Sequence, residues 1–366
     1  MTVSFTWSDI KSFFKMPQFC KSRKPYDPRK RALELEEKTL ALSGLRPHKD
    51  IEIFDVPIRY KGSHLMHTII CGHKNKETLV LIHGYMGALA LFYPILQDLS
   101  KRFRVICVDL LGLGLSSRPD FSCDNTKDTI NYFLDSLDQW RKALNLKKFH
   151  MGGHSFGGYL AGKYALKFPN QVESLYLLSP TGFTEKHEEQ APIEWAAKMT
   201  WTKRQFWQMY FQSYSRYIYK ARLTAQEFVR KHPWIGKLSI RAYIQMLYGS
   251  NFEHAEVVSD FIFESFMIPG GSEKAVHYVL RPPRIGAEIP LEGFVTKTLK
   301  LPIYAYFGVE DWVDWTGAYK VAQDPKHKHF KFTFIANSGH QMIMQQPSQL
   351  AAFMLETPQL KRFRRR

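Results

Sequence analysis

The sequence predicts an α/β fold in which a mostly parallel central sheet carries helices on both faces and an inserted helical cap. Apolar, strand-like runs alternate with helical patterns of about 10 to 15 residues, the order that parallel sheets need. One of these runs ends in Gly153-His-Ser-Phe-Gly157, and a helical pattern follows at once. The alternation stops at Thr181 and resumes at Leu301, which predicts an insertion between two strands.

Each element is predicted from its local pattern. A helix is expected over residues 29–43 with Gly44 as its end. Strands over 51–60 and 63–71 are expected to form a hairpin through Lys61-Gly62. Further strands are expected at 78–83, 104–109, 149–154, 174–179, 301–307 and 330–335. Further helices are expected near 91–100, 126–144 and 347–355, and directly after Ser155.

These patterns divide the chain into four parts. Residues 1–28 are a basic, aromatic-rich amphipathic segment, and residues 359–366 are a basic tail. Residues 29–183 and 291–358 form the α/β core. Residues 184–290 are rich in large aromatic side chains and lack strong strand runs, which predicts the helical cap. Some of these aromatic residues are expected to line an apolar channel.

The charge of the chain predicts the kind of surface that it binds. The formal net charge is +17 and is partly concentrated at the two ends. Such charge attracts polyanions, and we expect an anionic membrane surface rather than nucleic acid, because the sequence has no apparent nucleic-acid-binding module. The sequence contains no run of about 18 apolar residues, so we expect no transmembrane helix. Residues 1–28 are then an interfacial anchor, part of a mitochondrial targeting sequence or a disordered leader.

Cysteine and histidine spacing argues against metal and cofactor sites. The four cysteines form no Cys-x-x-Cys pair, and Cys71 and Cys107 are expected to be buried strand thiols in a reducing, intracellular compartment. Gly112-Leu-Gly114 lacks the third glycine of a dinucleotide site. His327-Lys-His329 is better explained as an exposed loop than as a metal site. We therefore expect no cofactor and no metal.

The segment around Ser155 has the G-x-S-x-G pattern of a nucleophile elbow, in the required context of strand, tight turn and helix. The serine must stand on a sharp turn so that its hydroxyl is accessible. Gly153 and Gly157 flank it because side chains there would collide with the neighbouring strand and helix. The amides that begin the helix favour negative charge at the site. Ser155 is therefore the candidate nucleophile.

A serine needs a base, and the base needs a third group that orients it. In this arrangement the chain order is serine, acid, histidine, and the strand ends along one edge of a parallel sheet meet in space. His340 follows the last strand and is the candidate base. Asp311, three residues after Gly308, is the first candidate for the acid, with Asp314 as the alternative and Glu310 third.

An oxyanion that forms during attack needs backbone donors. The amide of Phe156, directly after the nucleophile, is one candidate, and the amide of Tyr85, in the turn after the 78–83 strand, is the other. The loss of one such donor typically costs about 3–4 kcal/mol of transition-state stabilisation.

Several segments together resemble one branch of the α/β-hydrolase superfamily, the abhydrolase domain 4/5-like branch. They are Asp109–Pro119, Trp140–Leu144, Gly153–Gly158 and Ser179–Phe183. The branch contains the N-acylphosphatidylethanolamine lipase, the cardiolipin-specific deacylase of yeast, plant and yeast lysophosphatidic acid acyltransferase homologues and the coactivator of adipose triglyceride lipase. The similarity extends over about residues 30–355 and implies the α/β-hydrolase fold. It also implies that Ser155, His340 and the turn at His83-Gly84 take the family's nucleophile, base and oxyanion positions.

Differences within the branch bear on the reaction. The coactivator has asparagine where this chain has Ser155. Members linked to acyl transfer carry His-x-x-x-x-Asp at the catalytic histidine, whereas Gln345 stands at the place of that aspartate here. The position of Asp314 resembles the acid of animal members, and that of Asp311 resembles the plant and fungal pattern. The resemblance thus implies hydrolysis ahead of acyl transfer.

We therefore expect a serine hydrolase that cleaves acyl esters of membrane glycerophospholipids through an acyl-serine intermediate. It would be a phospholipase or lysophospholipase, with cardiolipin or N-acylphosphatidylethanolamine as candidate substrates. The expected location is an intracellular membrane surface to which the protein binds peripherally, with the mitochondrial inner membrane favoured over lipid droplets or the cytosol. The alternative is a non-catalytic, lipid-bound scaffold or accessory subunit of a membrane protein complex.

Overall fold

The computed structural model describes residues 26–185, 223–248, 252–281 and 286–356. The strands are β1 Ile51–Arg59, β2 Ser63–Cys71, β3 Thr78–Ile82, β4 Arg104–Val108, β5 Phe149–His154, β6 Val172–Leu178, β7 Leu280–Arg281, β8 Gly286–Ala287, β9 Ile303–Gly308 and β10 Phe330–Ile335. An eight-stranded sheet has the order β1-β2-β4-β3-β5-β6-β9-β10, and β7 and β8 pair separately. The β1–β2 and β2–β4 pairs are antiparallel, and every other pair in the large sheet is parallel.

Helices cover both faces of this sheet, as the sequence predicts. They are α1 Pro28–Ala41, α2 Tyr93–Ser100, α3 Thr126–Ala143, α4 Phe156–Lys167, α5 Ala225–Lys231, α6 Pro233–Tyr248, α7 Phe252–Met267, α8 Val276–Val279, α9 Glu292–Thr298, α10 Thr316–Gln323, α11 Met342–Gln345 and α12 Pro347–Leu355. The fold class is thereby confirmed, and the hairpin of β1 and β2 is found where it is expected.

The strand boundaries differ from the prediction by one or two residues at several places. The clearest physical reason concerns β9, which begins at Ile303 rather than at Leu301. Pro302 has no backbone N–H to donate, and its carbonyl accepts a hydrogen bond from the Leu175 amide of β6 at 2.9 Å. The ladder with β10 accordingly starts one residue after the proline, at the Ile303–Phe330 pair.

The core lies on both faces of the parallel strands. In β3, Val80 and Ile82 pack in the cluster that contains residues of α3 and α4, whereas Leu79 and Leu81 pack in the cluster that contains residues of α2 and α12. All four side chains are fully buried. Alternate residues of a strand point to opposite faces, so a strand covered on both sides needs a continuous apolar run.

Helix α1 is fastened to the sheet by a buried charged cluster. The His67 ring lies between two carboxylates, with Nε2 at 2.7 Å from Glu36 Oε2 and Nδ1 at 2.7 Å from Asp55 Oδ1. Arg29 of the same helix donates to Asp55 Oδ2 at 3.2 Å. Burial alone would disfavour the imidazolium, but the carboxylates outweigh it and raise the pKa of His67 to about 10.

The described part of residues 184–290 is mainly helical and is tied to the core. Glu273 accepts from Nη1 and Nη2 of Arg230 in α5, at 2.9 and 2.6 Å. It also accepts from Arg118 of the core at 3.3 Å and from the Thr224 hydroxyl at 3.2 Å. Glu273 is 2% exposed, so it forms a buried link between α5 and the core.

The cap also contacts the start of the described chain. Helix α7 packs against α1, and the Tyr26 hydroxyl donates to Glu264 at 2.5 Å. The short β7–β8 pair is a small departure from an all-helical cap. The exact domain boundaries stay a prediction.

Other expectations concern residues that are not described. Residues 1–25 of the amphipathic segment, the basic tail at 359–366 and the cap aromatics from Trp195 to Tyr219 all lie outside the described residues. Among the helices that are described, none is long and apolar enough to cross a membrane. The thiols of Cys71 and Cys107 are free and buried, and burial raises the pKa of Cys71 to about 12.

Candidate active site

The candidate nucleophile stands on the sharp turn between β5 and α4. Ser155 has a φ of 55° and a ψ of −118°, a conformation that is unusual for a residue with a side chain. A Cβ at Gly153 would overlap the Gly157 carbonyl, and a Cβ at Gly157 would overlap the carbonyl of Ile82 in the neighbouring strand. Both glycines are therefore required by the close approach of strand and helix around the turn.

The structure brings the predicted serine, histidine and acid together at the carboxyl edge of the sheet. The Ser155 hydroxyl donates to His340 Nε2 at 2.9 Å, and His340 Nδ1 donates to Asp311 Oδ1 at 3.1 Å. The three residues follow β5, β10 and β9, which are parallel strands of the same half of the sheet, with β6 between β5 and β9. Ser155 is 8% exposed, His340 7% and Asp311 2%, so the chain of hydrogen bonds is screened from water.

The loop after β9 decides which acid contacts the histidine. The Asp311 amide donates to the Gly308 carbonyl at 3.1 Å, which turns the chain so that the Asp311 carboxylate faces His340. Asp314 lies further along the loop, where its Oδ1 accepts from the amide and the hydroxyl of Thr316 at 2.9 and 2.6 Å. Asp314 thus holds the first residue of α10. Glu310 is exposed, and its amide donates to the Ser338 carbonyl at 2.9 Å.

Sequence reasoning missed the groups that hold the acid and the histidine loop. The Ser179 hydroxyl, at the end of β6, donates to Asp311 Oδ2, and the Val313 amide donates to Oδ1 at 3.0 Å. Gln345 accepts from the Gly339 amide at 2.9 Å and so fixes the residue before His340. A serine at the end of a strand next to β9 is the signal that could have indicated the first of these contacts.

The candidate oxyanion donors lie on either side of Ser155. Phe156 is the first residue of α4, where helical amides have no acceptor within the helix. Tyr85 lies in a turn closed by the Gly87 amide on the Gly84 carbonyl at 3.0 Å. A Cβ on Gly84 would come within 3.0 Å of Ser155 Cβ, which places this turn directly against the nucleophile. The Tyr85 hydroxyl donates to Gln226 of α5 at 3.0 Å, so the turn also contacts the cap.

His83 anchors the same turn to the neighbouring strand. Its Nδ1 donates to the Gly84 carbonyl at 2.8 Å, and its Nε2 accepts from the Leu110 amide after β4 at 3.1 Å. Burial lowers the pKa of His83, which keeps the ring neutral with one donating and one accepting nitrogen. The histidine before Gly84 thus has a structural role, because its ring joins the turn to the Leu110 amide, and the motif alone does not indicate this role.

Asp109 organises the loop after β4. Its carboxylate accepts from the Leu89 amide at 2.6 Å and from the Leu115 amide at 2.7 Å, and the side chain is fully buried.

Within the described ranges, no group of three or more histidine, cysteine, aspartate or glutamate residues is arranged to hold a metal ion.

Comparisons with known proteins agree with this architecture. A family model described as the alpha/beta hydrolase fold matches residues 77–347. A solved structure, carboxylesterase CesB from Bacillus subtilis, has a TM-score of 0.60 and 19% identity, and the match covers 90% of this chain and 98% of that chain. At this identity the likeness is one of fold.

Two curated relatives have acyltransferase names. The "Probable 1-acylglycerol-3-phosphate O-acyltransferase" of Oryza sativa subsp. japonica is 32% identical over 290 residues, which are 75% of this chain and 65% of the rice protein. The "1-acylglycerol-3-phosphate O-acyltransferase ABHD5" of Homo sapiens is 41% identical over 132 residues, which are 36% of this chain and 38% of the human protein. In each case the match spans less than two thirds of the relative's length. These relatives agree with the branch that the sequence motifs resemble. The family model covers most of the chain, and the chain therefore belongs to the α/β-hydrolase fold family.

Proposed function

We propose that this protein is a serine hydrolase that cleaves acyl esters of membrane glycerophospholipids, with Ser155 as the nucleophile, His340 as the base and Asp311 as the acid that orients it. The observation that carries the proposal is the continuous pair of hydrogen bonds from Ser155 Oγ to His340 at 2.9 Å and from His340 to Asp311 at 3.1 Å. A buried serine on a strained turn beside a histidine has the geometry of an activated nucleophile.

The first step forms an acyl-enzyme. His340 Nε2 takes the proton of the Ser155 hydroxyl while Oγ attacks the ester carbonyl carbon. The amides of Phe156 and Tyr85 donate to the oxyanion that develops. The bond from carbon to the leaving oxygen then breaks, and His340 returns the proton to that oxygen, which releases the lysolipid alcohol.

The second step regenerates the enzyme. Water gives a proton to His340 Nε2 as its oxygen attacks the acyl carbon, and the bond to Ser155 Oγ breaks. His340 then protonates Oγ, so that a fatty acid leaves and the serine is restored. Asp311 accepts from His340 Nδ1 throughout and stabilises the imidazolium in both steps.

The lipid substrate is supported by relatives and by charge. The curated relatives are named for a reaction on 1-acylglycerol-3-phosphate, an acidic glycerolipid. A net charge of +17 favours an anionic surface, where each basic residue contributes about 1 kcal/mol of attraction. We propose cardiolipin or N-acylphosphatidylethanolamine as candidate substrates and an anionic intracellular membrane, foremost the mitochondrial inner membrane, as the place of action.

Acyl transfer to a lysophospholipid is the second candidate, because the relatives' names describe it. The acyl-serine intermediate would be the same, and an acceptor hydroxyl would replace water in the second step. Hydrolysis is favoured because Gln345 stands at the aspartate position of the acyltransferase box and bonds to the Gly339 amide instead.

A lipid assay tests the proposal. The purified protein is incubated with vesicles that contain cardiolipin, N-acylphosphatidylethanolamine or phosphatidylcholine, with and without 1-acylglycerol-3-phosphate, and the products are measured by mass spectrometry. We expect the wild type to release free fatty acid and Ser155→Ala to be about a thousandfold slower or more.

The matched control is Ser136→Ala. Ser136 is a buried serine whose hydroxyl donates within α3 to Phe133 at 3.0 Å, and this variant is expected to keep activity. Transfer of the acyl chain to the acceptor without fatty acid release would favour the second candidate. No products from any lipid would contradict the lipid proposal.

A further inference from the structure

The ring of His340 is contacted by two other rings besides its hydrogen-bond partners. The Trp312 ring centroid lies 4.4 Å from that of His340, with an interplanar angle of 49°. The His154 centroid lies 4.8 Å away, with an angle of 43°. His154 is 7% exposed, so this contact with His340 is buried. Neither residue is required by the nucleophile motif or by the order of the triad.

His154 also fixes the main chain that carries His340. Its Nε2 lies 2.8 Å from the His340 carbonyl oxygen. A carbonyl can only accept, so this nitrogen carries the proton and donates. Burial, with a further contribution from His340, lowers the pKa of His154 to about 3. The ring is therefore neutral at working pH, and it holds the loop without repelling an imidazolium at His340.

Trp312 contributes an aromatic ring beside the imidazolium of His340. His340 becomes positively charged when it takes the serine proton. An aromatic face whose centroid lies within about 6 Å of a cation attracts it. Trp312 directly follows Asp311, so the turn after β9 that directs the carboxylate at Nδ1 also brings the indole to the ring of His340.

We propose that Trp312 and His154 form a clamp on His340, in which Trp312 stabilises the imidazolium that forms during the reaction and His154 fixes the backbone of the histidine loop. This inference rests on the proposed function and names two positioning residues for it. Neither residue contacts the reacting carbonyl in this account, since both act through His340.

The titratable groups around His340 come from three elements of the large sheet. Asp311 faces Nδ1 from the loop after β9, His154 faces the ring from the end of β5, and His83, directly after β3, interacts electrostatically with His154. A substitution of Trp312 changes none of these charges. A shift in the titration of His340 in such a variant therefore reports the loss of the indole.

The rate of labelling by a fluorophosphonate probe, measured against pH, tests the clamp. Ser155 Oγ forms a bond to phosphorus, its proton passes to His340 Nε2, and fluoride leaves. For Trp312→Leu we expect the plateau rate to fall about two- to thirtyfold and the acidic limb to move about 0.4 to 1.5 pH units lower, because the imidazolium loses its aromatic neighbour. Trp312→Phe keeps an aromatic face and should recover most of both effects.

Trp315→Leu is the matched control. Trp315 lies three positions further on and packs with Phe334 at 5.1 Å between ring centroids and with Tyr319 at 6.0 Å. Its loss should leave the pH profile unchanged. If Trp312→Leu also keeps the wild-type limb, the part of the clamp assigned to Trp312 is wrong, although the proposed function stands.

The His154 side of the clamp predicts a different pattern. His154→Ala should label about tenfold more slowly, because a small displacement of the base is costly. The acidic limb of its profile of labelling rate against pH should stay at the wild-type position. His154→Gln, which keeps a hydrogen-bond donor, should recover much of the rate. A wild-type rate for His154→Ala would overturn this assignment.

NMR titration of the His340 ring gives a readout that does not depend on activity. Trp312→Leu should lower the measured pKa of His340, whereas His154→Ala should leave it within a few tenths of a unit. An unchanged pKa in Trp312→Leu would overturn the role given to Trp312. Failure of the wild type to label, with the expected NMR shift present, would instead count against the proposed function.

Discussion

Replacement of Asp311 with asparagine is expected to lower the turnover number by about 10⁴-fold. The amide is nearly the same size, so the fold should be kept. It would no longer favour the tautomer in which His340 Nδ1 donates and Nε2 accepts from Ser155, and it could not stabilise the imidazolium. Asparagine would also face the Ser179 hydroxyl, which now donates to the Asp311 carboxylate. The measurement is the rate of ester hydrolysis at saturating substrate.

Asp314→Asn is the control for this prediction. Asp314 bonds to Thr316 at the start of α10, whereas His340 Nδ1 donates to Asp311, so the turnover number should stay within a few fold of the wild type. Asparagine keeps the Oδ1 acceptor for Thr316, so the free energy of unfolding should also change little. A severe loss of turnover in Asp314→Asn with normal activity in Asp311→Asn would reverse the assignment of the acid.

Replacement of His67 with alanine is expected to lower the free energy of unfolding by about 3–5 kcal/mol. Glu36 is fully buried, and burial raises the pKa of its carboxyl. Without His67 this group must either stay charged without its partner or take up a proton. Chemical denaturation of the two proteins at pH 7 measures the difference.

The matched control is an exposed pair that the next residue of α1, Glu37, forms with His48 of the following turn. His48 lies 3.1 Å from Glu37, and the two side chains are 60% and 52% exposed. His48→Ala should cost less than about 1 kcal/mol, because water and salt screen an exposed pair. Equal losses in the two alanine variants would contradict the account of the buried cluster.

The same cluster predicts a dependence on pH. The pKa of His67 is raised to about 10, above its value in the unfolded chain, so its contribution to stability is complete below about pH 6.5 and is lost as the pH rises towards 10. The difference in unfolding free energy between wild type and His67→Ala should therefore shrink over this range. A difference that grows with pH would contradict the direction of the shift.

Much of the fold follows from the sequence because its signals are local. Buried runs such as Leu79–Ile82 are apolar at every position, as strands covered on both faces must be. The β7–β8 pair has two residues in each strand and is too short to produce such a pattern. The contacts of Glu273 with Arg230 and Arg118 could not be predicted from the sequence either, because a single glutamate in an insertion does not indicate which arginines it contacts.

In the site, too, the residues with a local sequence signal could be predicted, and the contacts that depend on tertiary structure could not. Ser155 and His340 could be assigned from a motif and from chain order. Spacing from Gly308 ranked Asp311 ahead of Asp314 but left both open, because both follow β9 and only the path of the loop decides which carboxylate faces the histidine. Ser179 was missed because its contact with Asp311 depends on β6 and β9 being neighbours in the sheet.

The central claim is that Ser155 is an activated nucleophile, and covalent labelling tests it most directly. The protein is treated with a fluorophosphonate at neutral pH, and the adduct is measured by intact mass and located by peptide mapping. We expect one phosphonyl group on Ser155 in the wild type and none in Ser155→Ala. No adduct on the wild type while a control serine hydrolase is labelled, or an adduct on a different residue, would contradict the account.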